Sequence, residues 1–407
     1  MTMMSRHPDF RRSTVALVFA ALLGACADNV TTSADLEPLP PIDAGDRAEW
    51  IEAAPVAVGL DPAKLESART YAFRREYHTQ AVLVIRHGYL AAEWYAEGTD
   101  RDTLAASWSV GKSFTATLVG MAIADGDIAG VNVPMSTFIP AWAGTDKAPI
   151  TLADVLTMSS GLDWIEDYHA VETEGGASDI ALMVIDPDPM GIALDQPVTA
   201  AAGERWNYSS GDTMLLGYAL RKATGQIVAD YVQEKLAEPL AMRALHWWRD
   251  TTGETFTYCC VDATPRDFAK FGQLYLQRGV WGGKPIVPAD WVDASTSSQA
   301  ADNPGYGYQW WTNHPQGADG YWPSLPADTY FALGVDGQYI AVFPSLDMVV
   351  VRLGRYVVPA TDDWIAENGL YAAGVFSDNF GPTGTRGPGG DWDEDTFFAH
   401  FVEAVVE

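Results

Sequence analysis

Ser109 and Lys112 lie three residues apart in the run Ala-Ser-Trp-Ser-Val-Gly-Lys-Ser at 106–113, just ahead of the apolar stretch Phe114 to Ala124. That stretch predicts a helix, and residues three apart share one helix face, so the Lys112 amine can reach the Ser109 hydroxyl. A serine attacks poorly at its ordinary pKa. A lysine held out of water beside it loses its own proton more readily and can then take the hydroxyl proton, with no histidine involved. The same residues would also serve an inert helix start, with Ser109 capping the backbone and Lys112 in solvent.

Two further elements carry chemistry. Tyr208, in Asn-Tyr-Ser-Ser-Gly-Asp at 207–212, sits in a polar turn before the helical run Met214 to Ala223. A tyrosine there can relay a proton; an inert one would simply pack its ring. Gly334-Val335-Asp336-Gly337-Gln338 opens a late hairpin, and glycines at a strand edge let a substrate approach the backbone closely.

The elements that must position these residues follow from periodicity. Ala81 to Ile85 and Tyr89 to Tyr95 read as strands around a His87-Gly88 turn, and Gln338 to Phe343 and Met348 to Leu353 as a second hairpin. Pro62 to Arg74, Leu152 to Met158, Val228 to Leu236 and Trp392 to Val406 read as helices. Strands near both ends with helices between predict an α+β fold, one antiparallel sheet completed by both ends of the chain around an inserted helical lobe.

The formal net charge of -29 argues against nucleic acid or an anionic membrane surface as a partner. Arg11 and Arg12 precede the apolar run Val15 to Leu23, which meets Leu-Gly-Ala-Cys ending at Cys26. The run is too short for a permanent membrane span and resembles a bacterial lipoprotein signal. The expected organisation is a signal peptide at 1–25, an acidic Pro-rich tether at 26–55 behind a lipid on Cys26, and one domain at 56–407. The protein is expected on the periplasmic side of a bacterial membrane, which it touches only through that lipid. Cys259 and Cys260 are read as two buried thiols, because a bridge between neighbours is strained.

The three elements, in this order and with these separations, resemble the serine β-lactamase, penicillin-binding protein and carboxylesterase superfamily, in its class C-like branch near the esterases and 6-aminohexanoate-dimer hydrolases. The likeness extends through Thr151 to Leu162, Glu238 to Met242 and Asp267 to Gly272, and covers roughly residues 56 to 355. It implies a β-lactamase/transpeptidase-like fold with the active site between helical lobe and sheet. It assigns Ser109 as nucleophile, Lys112 as its base and Tyr208 as the tyrosine of the Tyr-x-Asn element, with Ser210 where asparagine is common. The backbone N-H groups of Ser109 and Gln338 become the oxyanion hole.

The third element departs from the β-lactamases, which carry a lysine there to hold the substrate carboxylate. Val335-Asp336-Gly337 offers an acid instead, so Asp336 is expected to repel anionic substrates. Cleft loops at 163–198 and 303–331 hold Trp164, Tyr168, Trp310, Trp311 and Trp322, candidates for an apolar acyl pocket. Ser210, Asp336, Gly337, Trp164 and Trp311 are the candidate substrate contacts.

The expected protein is a serine hydrolase that takes a small-molecule ester or linear amide through an acyl-enzyme, without metal or other cofactor. The carboxylesterase reading is favoured. The alternatives are a 6-aminohexanoate-dimer-type amidase or D-amino-acid peptidase, a weak β-lactamase, and a non-catalytic penicillin-binding-like sensor. Ser377-Asp378-Asn379 imitates a class A β-lactamase motif but follows the third element. Asp391, Asp393 and Asp395 imitate a calcium loop without its glycine, and no histidine has metal-ligand spacing.

Overall fold

The computed structural model describes residues 38–46, 48–167, 178–250, 252–313, 321–355 and 388–406. Cys26 and the leader, Tyr168 and the Ser377-Asp378-Asn379 run lie outside them.

Eleven strands are formed among the described residues: β1 (Thr79–Arg86), β2 (Tyr89–Tyr95), β3 (Ala105–Ala106), β4 (Leu245–Trp247), β5 (Val261–Ala263), β6 (Val280–Trp281), β7 (Lys284–Pro285), β8 (Trp311–Thr312), β9 (Tyr330–Gly334), β10 (Gln338–Phe343) and β11 (Met348–Gly354). Six build the main sheet in the order β2-β1-β11-β10-β9-β8, with every described pairing antiparallel. The expected sheet drawn from both ends of the chain is therefore present, and β1 of the first hairpin pairs directly with β11 of the last.

The central strands are buried on both faces, and their alternation divides them between two cores. Leu83, Ile85, Ile340, Val342, Val349 and Val351 face the helical lobe. Val82, Val84, Ala341, Phe343 and Val350 face the opposite layer, where α1 (Pro62–Ala72) and the last helix (Glu394–Ala404) supply Leu65, Phe397, Phe398 and Phe401.

On the lobe side the central helix is α2 (Val110–Asp125), buried without interruption from Val110 to Ala122. A helix with no solvated face belongs in the middle of a domain, and α2 packs there between α3 (Ser210–Thr224) and the sheet. The Phe114 ring stacks on Phe271 of the buried helix Pro265–Leu276 at 3.8 Å.

Three expectations need correction. Residues from 38 onward belong to the folded body, because the Trp50 indole is buried and donates to the Arg266 carbonyl and the Ala53 amide donates to Leu90. A Pro-rich composition had masked edge pairing by a segment with few apolar residues. Cys259 and Cys260 form a disulfide, since a left-handed backbone at Cys260 (φ 71°) lets the two neighbouring side chains meet. The loop at 163–198 is partly helical, with Asp179–Ile185 and Pro189–Asp195 folded.

The acids at 391–395 are tied to protein groups. Asp391 accepts from Tyr77, Asp393 caps the Thr396 amide and Asp395 accepts from the Ser324 amide. Among the described residues no group of three His, Cys, Asp or Glu is placed to hold a metal ion.

Candidate active site

Ser109 stands at the start of α2, yet its hydroxyl makes no capping hydrogen bond. The preceding residue, Trp108, has φ 43°, and this turn carries the chain from β3 into the helix. The Ser107 hydroxyl donates to the Trp108 carbonyl and accepts from the Val261 amide, which fixes the turn from below. The Ser109 hydroxyl is thus left for chemistry, and the residue is partly exposed.

Lys112 is 1% exposed, and its Nζ lies 3.0 Å from Ser109 Oγ, 2.9 Å from Ser210 Oγ and 3.0 Å from the Tyr258 carbonyl oxygen. Burial brings its pKa down to about 8, against an opposing pull from the charge of Glu166. The structure therefore excludes the solvated-lysine alternative. Tyr208 lies over the same amine, its ring centroid 5.0 Å from Nζ.

The Tyr208 phenol is shifted upward, chiefly by its dry surroundings and then by the Glu166 charge, with a hydrogen bond to Ser109 pulling the other way. The two shifts separate the roles available to these groups. From about pH 8 upward the amine is neutral and basic, while the phenol keeps its proton and can only relay it.

Glu166 was not among the residues singled out from sequence. Its Oε1 accepts from Ser210 Oγ at 2.6 Å and its Oε2 from the Ser210 amide at 2.9 Å, and the Trp164 indole N-H also donates to it. Its only sequence signal was an acid beside Trp164, because the contact joins a loop to the start of α3, 44 residues on.

Ser210 and Trp164 consequently serve the site from inside. Ser210 is 1% exposed and bridges Lys112 to Glu166, while Trp164 is 5% exposed, packs on Gly211 and holds Glu166. Neither is open to a substrate, which corrects their expected role. Asp212, also buried, accepts from the Ser160 hydroxyl at 2.8 Å, and burial raises its pKa to about 8.

The third element behaves differently from its sequence reading. Asp336 has a left-handed backbone (φ 64°) and is 4% exposed, and its charge acts on the buried guanidinium of Arg352. Arg352 donates to the carbonyls of Asp336, Gly337 and Tyr77, and a Cβ on Gly337 would strike its guanidinium. Both residues brace the turn and do not line the cleft. Gln338 is fully buried, with Oε1 accepting the Gly354 amide. The backbone that meets Ser109 is Gly334, where a Cβ would sit 3.1 Å from the Ser109 nitrogen.

One wall of the site is aromatic. Trp311 stacks on Tyr208 at 5.9 Å and meets Trp206 and Tyr306 edge-on at 5.8 and 5.1 Å. Trp311 is half-buried, as a substrate contact requires, whereas Trp310 and Trp322 belong to the cores.

Gly111 sets the depth at which α2 sits. A Cβ there would lie 2.9 Å from the Cys259 carbonyl oxygen, a backbone atom that cannot swing away. Gly111→Ala is expected to cost about 1–3 kcal/mol of stability and to lower activity, since the next carbonyl back, Tyr258, anchors Lys112. Urea unfolding and the rate of covalent labelling by a fluorophosphonate on the same preparation test this; unchanged values in both would show the packing to be loose.

The chain is similar to known proteins in both sequence and fold. A family model described as Beta-lactamase matches residues 67–366. The 6-aminohexanoate-dimer hydrolase of Paenarthrobacter ureafaciens is 28% identical over 310 residues, covering 70% of this chain and 75% of that protein. Esterase EstB of Burkholderia gladioli is 30% identical over 210 residues, but the match spans only 46% of this chain and 53% of the esterase. Among solved structures, the penicillin-binding protein homologue of Pyrococcus abyssi superposes with a TM-score of 0.57 at 20% identity, covering 78% of each chain. The class C β-lactamase of Rhodobacter sphaeroides does so with a TM-score of 0.54 at 18% identity, over 76% of this chain and 98% of that one. These two show the fold alone. The chain belongs to the beta-lactamase family and is a hydrolase of that fold, related to esterases and 6-aminohexanoate-dimer hydrolases.

Proposed function

We propose that this protein is a serine hydrolase that cleaves neutral carboxylic esters through an acyl-enzyme on Ser109. The observation that carries this reading is the contact of a dry Lys112 amine with the uncapped Ser109 hydroxyl at 3.0 Å. Neutral Lys112 takes the Ser109 proton as Oγ attacks the substrate carbonyl. The oxyanion is received by the amide of Ser109 and by that of half-buried Val335, which follows Gly334 against Ser109. Tyr208 passes the proton to the leaving oxygen, and water then releases the acid by the reverse path.

The aromatic wall of Trp206, Tyr208 and Trp311 supports an apolar acyl group. Val335-Asp336-Gly337 supplies no exposed cation, because the nearby Arg352 is fully buried, so a β-lactam carboxylate finds no partner there. Hydrolysis of short linear amides is the second reading, favoured by the longer match to the 6-aminohexanoate-dimer hydrolase than to the esterase.

A panel of short-chain nitrophenyl esters, a short linear amide and a chromogenic cephalosporin tests both readings on the full chain. Esters should turn over at least about a hundredfold faster than the cephalosporin, the equivalent of roughly 3 kcal/mol in the barrier. Faster turnover of the cephalosporin would overturn the assignment, and an amide rate rivalling the ester rate would select the second reading.

A further inference from the structure

The three hydrogen-bonding neighbours of Lys112 differ in what they can do. Tyr258 offers a carbonyl oxygen, which only accepts. Ser210 offers a hydroxyl, which can donate or accept, and its direction is settled on its far side. Its Oγ lies 2.6 Å from Glu166 Oε1, and the same carboxylate takes the Ser210 amide at 2.9 Å and the Trp164 indole N-H. A carboxylate receiving three donors is an acceptor only, so the Ser210 hydrogen points at Glu166 and its lone pairs face Lys112.

A neutral amine has two hydrogens and one lone pair. Two obligate acceptors, the Tyr258 carbonyl and the Ser210 oxygen so oriented, take both hydrogens, and the lone pair is left facing Ser109 Oγ, the third neighbour at 3.0 Å. We infer that Glu166 is a positioning residue which, through Ser210, aims the lone pair of Lys112 at the Ser109 hydroxyl. The inference rests on the reading of Lys112 as base. Without the carboxylate, Ser210 is free to donate to Lys112 and occupy the lone pair that Ser109 needs.

Glu166 has a second, separable influence. Its charge favours protonated Lys112, opposing the effect of burial. The other groups facing the amine are the phenols of Tyr208 and Tyr258, whose pKa values burial raises, so both stay neutral in the range that matters. Behind them stand Tyr306, likewise raised, and Asp212, which titrates in the same range as Lys112.

The test is the rate of Ser109 phosphonylation by a fluorophosphonate probe as a function of pH, which needs no knowledge of the substrate. In the wild type the rate should climb to a plateau with an acid limb near 8, where Lys112 becomes neutral. Glu166→Gln preserves the shape, can still accept the Ser210 amide, and can reverse the Ser210 hydroxyl. It should lower the plateau about 10- to 100-fold, a share of what a general base contributes, and move the limb to lower pH. Ser210→Ala should lower the plateau similarly with little change in probe affinity, and Ser210→Thr should restore most of it.

Asp212→Asn should leave the limb in place. A purely structural tie between loop and helix predicts changed melting temperatures with plateau and limb unmoved, and that result in Glu166→Gln and Ser210→Ala overturns the inference. If Lys112→Met is also phosphonylated at the wild-type rate, the reading of Lys112 as base fails with it. Loss in Lys112→Met alone, with Glu166→Gln and Ser210→Ala unaffected, removes only the positioning role.

Discussion

Ser109→Ala should lower hydrolysis of every substrate of this protein by at least about 10⁴-fold and abolish covalent labelling by a fluorophosphonate, while leaving the fold intact. The expectation is strong because the hydroxyl does no other work. It does not cap α2, and its hydrogen-bonding partners are Lys112 and Tyr208. The lost oxygen is the atom on which the acyl group would rest, so no neighbour substitutes for it. Intact-mass analysis of the labelled wild type, followed by peptide mapping, should place one adduct on Ser109. Full labelling of the alanine variant, or an adduct on Ser107 or Ser113, would refute the assignment.

What the sequence made visible was local in origin. Ser109, Lys112 and the turn carrying Tyr208 are linked by helix spacing and by a strict order of motifs, and the structure brings all three together. Hairpins and helices were legible because their apolar periods are long and regular. Glu166 was not, because its partner Ser210 is reached only when the loop after Ser160-Gly161 folds back over the start of α3. Asn207 Nδ2 fixes that return by donating to the Trp164 carbonyl.

Asp336 shows the opposite failure. Its position in the motif was readable, but its burial depends on a left-handed turn whose carbonyl oxygens are held by Arg352, sixteen residues later on a neighbouring strand. Electrostatic selection against anionic substrates therefore does not come from Asp336 facing the cleft. A lysine placed at 336 would set an ammonium beside a buried guanidinium, and the first consequence would be instability, not a new specificity.

Lys112→Met should separate activity from stability. Methionine keeps most of the volume of the stem and removes the amine, so hydrolysis should fall by several orders of magnitude with the loss of the base. Stability should move the other way. The pKa of Lys112 lies at about 8 in the folded state against an ordinary 10.5, so between these values the unfolded chain binds more protons and wild-type stability rises with pH. Below about 8 the folded protein bears the full cost of a buried ammonium, on the order of 3 kcal/mol. Methionine removes that cost but leaves the Tyr258 carbonyl and the Ser210 oxygen each without one donor, a loss of about 1 kcal/mol apiece. The variant should thus be at least as stable as wild type at pH 7, and its advantage should shrink as pH rises from 8 toward 10.5. Urea unfolding of both proteins at pH 7, 8.5 and 10 measures this. A variant markedly less stable at pH 7 would mean that Lys112 is held as a structural cation, and would leave Ser109 without the base that its position at the head of α2 otherwise explains.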